Sequence, residues 1–143
     1  MIAVDTNILV YSQREDSQFF IPAERVLTLL INSEKSWAIP WPCIHEFLAI
    51  VSHPKIYNPP TPLQTALEQV ERWLKVPSLN LLGETPVYWK KLTYLLVNSK
   101  VTGSQIHDAR IAAICDAHGV KELWSADRDF SRFTHLSVRN PMS

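Results

Sequence analysis

Three glycines in 143 residues, Gly83, Gly103 and Gly119, are too few and too scattered to build a glycine-rich phosphate-binding loop. Two cysteines, Cys43 and Cys115, rule out a disulfide framework. Each stands among apolar residues in a stretch that reads as helix, so both are expected as buried free thiols in a reducing compartment. Net charge is missing as well: 14 Lys and Arg balance 14 Asp and Glu, so no global field draws the chain to nucleic acid or membrane, and a polyanion partner must be held locally. No apolar run approaches the ~18 residues of a membrane span, and Asp5 interrupts Met1-Ile2-Ala3-Val4 before a signal-peptide core could form. The expectation is a cytoplasmic protein with no membrane segment.

Two enzyme classes fall with these absences. There is no Gly-x-Ser-x-Gly elbow for a nucleophilic serine. His107 and His118 are ~16 Å apart along one helix, too far to share a zinc ion, and Cys43 with His45 is a lone pair of residues without partners.

What the chain does contain is core material: 46% apolar and only 20% charged residues, enough for a single globular domain spanning 1–143. Ile2–Val4 is a short apolar run, and it, Trp37–Ile39, Leu79–Leu82, Val120–Ser125 and His135–Val138 read as strands. Thr6-Asn7 is a turn or helix-start signal. Helices are expected over about 22–32, 43–52, 63–76, 85–97 with Pro86 in the first turn, and 105–118. Thr61 and Ser104 serve as caps in this reading, and Gly119 as a left-handed stop. Pro54, Pro59, Pro60 and Pro62 mark a stiff surface loop. Strands alternating with helices predict an α/β domain, a mostly parallel five-stranded sheet flanked by helices, whose ligands bind at the carboxyl ends of the strands.

That edge is where the acids fall. Asp5 closes a buried strand, where a carboxylate must pair, change protonation or bind a cation. Glu46 points away from the Ile44, Phe47, Leu48, Val51 stripe, and Asp108 lies beside Ile111, Ala112 and Cys115, where a solvated Asp has no reason to be. Asp127 and Asp129 flank Arg128 after a strand, and an extended chain there would send them to opposite sides, so that only one joins the site. Asp5, Glu46, Asp108 and Asp127 gathered at one sheet edge need a cation, and oxygen donors without thiol or imidazole suit Mg²⁺ or Mn²⁺. Asp116 lies ~12 Å along the helix from Asp108 and is excluded. Arg128 and Arg132 are the candidates for phosphate contacts. The five tryptophans are read as core and interface residues rather than base-stacking platforms.

Asp5-Thr6-Asn7-Ile8-Leu9, Glu46 in the helix after the second strand, Asp108 with Ile111-Ala112-Ala113 and Gly119, and Ser125-Ala126-Asp127-Arg128-Asp129-Phe130 resemble, in order and spacing, the PIN domain family, and most of all its VapC-type ribonuclease toxins. The resemblance implies that Asp5, Glu46, Asp108 and Asp127 are the catalytic, metal-holding acids, with Asn7, Ser125 and Asp129 in support; which of Asp127 and Asp129 matters more stays open. It implies hydrolysis of RNA phosphodiester bonds with one or two Mg²⁺ or Mn²⁺ ions, a homodimer, and a cognate antitoxin protein as partner. The alternative is a non-catalytic PIN-like module that binds RNA or a protein. Phe19-Phe20 and the proline loop with Tyr57 are the expected exposed aromatics for a protein interface.

Overall fold

The computed structural model describes residues 1–143. Ile2–Val4 forms β1, and the chain continues through α1 (Thr6–Gln13), α2 (Phe20–Asn32), β2 (Trp37–Pro40), α3 (Trp41–Val51), α4 (Leu63–Leu74), β3 (Leu79–Leu82), α5 (Tyr88–Ser99), α6 (Gln105–Ala117), β4 (Glu122–Trp124), a 3-10 turn (Arg128–Arg132) and β5 (Ser137–Arg139). The strands lie in the order β3-β2-β1-β4-β5 and every ladder is parallel. Central strands sandwiched on both faces carry apolar residues without alternation, as Ala3, Val4, Trp37, Ala38, Ile39 and Leu123 do, all fully buried. The chain steps outward from β1 to β3 and then returns across the sheet to β4. Right-handed crossovers therefore place α1 to α4 on one face and α5 and α6 on the other. The order reverses between β1 and β4, and in open α/β sheets ligands bind at the carboxyl ends of the strands at such a reversal.

Apolar stripes hold the helices down. Phe47 of α3 is buried with its ring edge-on to buried Trp73 of α4, centroids 4.9 Å apart. Trp37 is also buried and donates its indole N–H to Ser78 Oγ at 3.1 Å. Trp124 completes the buried tryptophans, whereas Trp41 and Trp89 remain exposed. Both cysteines are free and buried. No helix is long and apolar enough to cross a membrane.

Thr6-Asn7 is a helix start, one of its two expected roles, and opens α1, whose extent the periodicity does not reveal because Ile8, Leu9 and Val10 are buried in succession. Other local expectations are corrected. Helix α5 starts at Tyr88 rather than Thr85: the Tyr88 N–H donates to Thr85 O and closes a separate turn around Pro86. Neither proposed cap bonds its helix. Thr61 Oγ1 accepts instead from Arg14 at 3.1 Å, and Ser104 already has helical backbone angles. Gly119 does end α6 with φ at +72°, which costs glycine nothing.

The pairing of α3 with α4 rests on Phe47. Phe47→Ala should destabilise the fold by about 3–5 kcal/mol in urea unfolding, and Phe47→Leu by a minor part of that.

Candidate functional site

Asp5 follows β1 directly and occupies the cap position of α1, yet its side chain makes no capping bond. Its backbone N–H donates to Trp124 O at 3.0 Å, which continues the β1–β4 ladder and brings the carboxylate to the carboxyl edge of the sheet. Only 5% of the residue is exposed. Ser125 Oγ donates to Asp5 Oδ2 at 2.7 Å, and the Cys43 thiol of α3 approaches Oδ1 at 3.6 Å. Burial drives the Asp5 pKa up to about 6; the Ser125 bond opposes that rise, and the Glu46 charge adds to it.

Glu46 comes from α3, half-buried as its angle from the core stripe requires, and Thr6 Oγ1 donates to its Oε2 at 2.6 Å. The loop after β4 is tied in from the other side. Asn7 Oδ1 accepts from the Ala126 N–H at 3.3 Å, and Ser125 Oγ, while donating to Asp5, accepts from the Asp127 N–H at 3.0 Å. Ser125 thus links the buried carboxylate to the outer acids.

Those outer acids are closer together than an extended chain would allow. Asp127 caps the 3-10 turn by accepting from the Asp129 N–H at 2.9 Å, and the turn folds Asp129 back toward its neighbour. Asp108, in the first turn of α6, completes a trio with ligand oxygens within 4.8 Å of one another. The expectation that Asp127 and Asp129 point apart is therefore corrected: both belong to the tightest part of the cluster. Burial holds the Asp108 pKa above the usual carboxylate range, with Asp127, Asp129 and Glu46 adding repulsion and Arg132 opposing it. Glu46 raises both Asp5 and Asp108, so the buried acid and the outer trio share one field.

Arg132 is the single basic group tied to this edge. Its Nε donates to Asp129 O at 2.9 Å, and its guanidinium lies 3.9 Å from Asp129 Oδ1. Arg128 is exposed, and Asp116 lies apart, 3.5 Å from Lys91 Nζ. The histidines disperse: His45 stacks on Trp41, His118 Nε2 bonds Gly83 O at 2.9 Å, and His107 is exposed. A roomier cleft of about 620 Å³ runs along α2, but Glu24 is its only carboxylate, so the acids rather than the volume mark the chemistry. Thr6 and Cys43 are the site neighbours the sequence reading left without a role. For Thr6 the signal was adjacency to Asp5; for Cys43, contact with Asp5 depends on how α3 crosses β1.

Carboxylates this close, with one cation at their rim and no imidazole or thiol in the trio, fit a hard divalent ion bound through oxygen. The PIN domain model matches residues 2–136. The chain belongs to the PIN domain family. Among PIN relatives, Ribonuclease VapC43 of Mycobacterium tuberculosis is 30% identical over 142 residues, covering 99% of this chain and 96% of its own. Ribonuclease VapC48 of the same organism is 27% identical over 139 residues, with 97% and 96% covered. In fold, this PIN domain superposes on the crystal structure of VapBC2 from Rickettsia felis, bound to a DNA fragment from its promoter, with a TM-score of 0.71 and 18% identity over 97% of this chain and 98% of that one.

The burial of Asp5 has a pH signature. Its folded-state pKa lies above the ordinary 3.8, so the stabilisation from the bound proton is complete below about 3.8 and is lost as pH rises through about 6. In chelator, Asp5→Asn should gain on the parent by about 2–3 kcal/mol of unfolding free energy between about pH 4 and about pH 7. A stability difference flat with pH would sink this assignment.

Proposed function

We propose that this chain is a divalent-metal-dependent endoribonuclease that hydrolyses RNA phosphodiester bonds, and that it is the toxin of a toxin-antitoxin pair. The observation that carries this reading is the carboxylate trio of Asp108, Asp127 and Asp129, joined through Ser125 and Glu46 to buried Asp5 at the carboxyl edge of the sheet. The VapC relatives, which are named ribonucleases, support it over nearly the full chain.

Asp5, Glu46, Asp108 and Asp127 would hold Mg²⁺ or Mn²⁺, with Asp129 beside them. When bound, such an ion supplies neutralisation of charge on the phosphodiester and acidification of a water. The protein's own contribution is position. Ser125 fixes one oxygen of Asp5, and Thr6 aims Glu46. Asn7 pins the loop that carries Asp127. Burial keeps water off Asp5, and burial together with repulsion from Asp127, Asp129 and Glu46, which raises the pKa of Asp108, disfavours the charged cluster when no cation is present. Arg132 offers positive charge at the rim for the phosphate backbone.

The partner in this reading is a cognate antitoxin whose tail lies near the acidic site, and the shared fold with VapBC2 supports that reading. A homodimer belongs to the same proposal, and the exposed residues that favour it lie on α5. Trp89 is 69% exposed there, with Tyr94 and Val97 on the same helix. Of the aromatics expected from the sequence, Phe19 is exposed although it leans on Tyr11 with centroids 5.1 Å apart, and the Arg14 guanidinium roofs half-buried Tyr57 at 4.2 Å.

Asp5→Asn and Asp108→Asn should each lower RNA cleavage by at least about a hundredfold while the protein still unfolds cooperatively, and Asp116→Asn should stay within about twofold of the parent. Chelation should silence the parent, with Mg²⁺ or Mn²⁺ restoring it. Cleavage at the parental rate by Asp5→Asn, or in chelator, would overturn the reading. Expression of the chain should arrest growth, and Asp5→Asn should relieve the arrest.

A further inference from the structure

Beside Asp127 a second cleft of about 380 Å³ opens between the 3-10 turn and the end of β5. Its walls differ in kind from the acidic cluster. Arg128, Ser131 and Asn140 line it, and Val138 supplies an apolar patch. Arg128 joins none of the ion pairs of the structure, in contrast to Arg132, which is held against Asp129. Asn140 spends its side-chain oxygen on the Met142 N–H at 3.0 Å, which leaves its amide N–H₂ as the group available to the cleft. The side chains the cleft offers are therefore a guanidinium, an amide donor and the hydroxyls of Ser131 and Ser143, with Asp127 at the boundary with the acids. Such a set recognises an oxyanion.

We propose that this cleft is a substrate subsite: it receives the nucleotide next to the scissile bond, with Arg128 on that nucleotide's phosphate and Ser131 and Asn140 on its phosphate or sugar oxygens. The inference rests on the ribonuclease reading of the acidic site and specifies how that site holds its polyanion. The charge arithmetic asks for it. A chain with zero net charge has no global pull on RNA, five acids repel it at this edge, and a bound cation offsets that repulsion only at the phosphate it touches. The adjoining phosphate needs its own counter-charge, and Arg128 is the guanidinium placed in a cleft of nucleotide-ligand size that Asp127 shares with the reactive cluster. Arg128 is a positioning residue here, since it acts on substrate beyond the bond that is cut.

The test uses the full chain and a labelled pool of random-sequence single-stranded RNA decamers with Mg²⁺ or Mn²⁺. Arg128→Gln should raise KM about tenfold with kcat within about twofold, the pattern of a contact equally strong in ground and transition states. In binding assays made with the cleavage-dead Asp108→Asn background, adding Arg128→Gln should lower the slope of log affinity against log salt by about 0.7, the share of one single-strand phosphate. Arg128→Lys should keep that slope, which a merely structural role would not require, and Asn140→Ala should raise KM severalfold without touching it. Parental KM and slope in Arg128→Gln would overturn the subsite while leaving the nuclease standing. A parent that neither cleaves nor binds the RNA pool would overturn both.

Discussion

A carboxylate buried at the end of the first strand is the constraint from which the rest of this site follows. Asp5 cannot sit at 5% exposure as a free anion, because the desolvation that raises its pKa to about 6 has to be offset by something nearby. Three protein donors supply part of that offset, the Ser125 hydroxyl from beyond β4, the Thr6 backbone N–H and the Cys43 thiol from α3. They are weak relative to a full charge, and Glu46 works against them. The local field is thus left unsatisfied by the protein itself, which is the electrostatic condition of a cation site rather than of a structural ion pair.

The architecture explains how acids so distant in sequence share that field. Strand β1 is the middle strand, and the parallel arrangement points the carboxyl ends of β1, β2 and β4 the same way. Helices α3 and α6, from opposite faces of the sheet, bring Glu46 and Asp108 to that edge, and the 3-10 turn after β4 supplies Asp127 and Asp129. Side-chain hydrogen bonds from Thr6, Asn7 and Ser125 lock these pieces in register. Each is a small polar residue beside an acid, and each spends its bond on a different element of the chain.

Most of this frame was legible in the sequence, for reasons that can be traced to particular residues. Buried parallel strands are short and unbroken in apolarity, and Ile2–Val4 and Trp37–Ile39 announce themselves in that way, while Leu79–Leu82, expected to be buried, is an edge strand with Asn80 exposed. The helical stripe of Ile44, Phe47 and Val51 is equally plain, and it placed Glu46 off the core face. Helix α1 escaped because burial on several sides erases its period. Asp129 was misplaced because the direction of a side chain after a strand depends on whether the backbone stays extended, and here a capped 3-10 turn reverses it. The contacts of Cys43 and Thr6 could not be read at all, since they depend on distances across the sheet between segments some 40 residues apart.

The pairing of Ile2–Val4 with Glu122–Trp124 also has a consequence for the chain while it is being made. Its middle strand has to wait for the fourth, about 120 residues later, before the Asp5 N–H finds Trp124 O and the Ser125 hydroxyl reaches the carboxylate. Such a long-range closure comes late in folding, after the local helices have formed. A polypeptide interrupted anywhere before β4 therefore carries isolated acids and no assembled cluster, and the same holds for fragments released by proteolysis. The acidic cluster at this edge is therefore assembled only with completion of the sheet, as a single cooperative event.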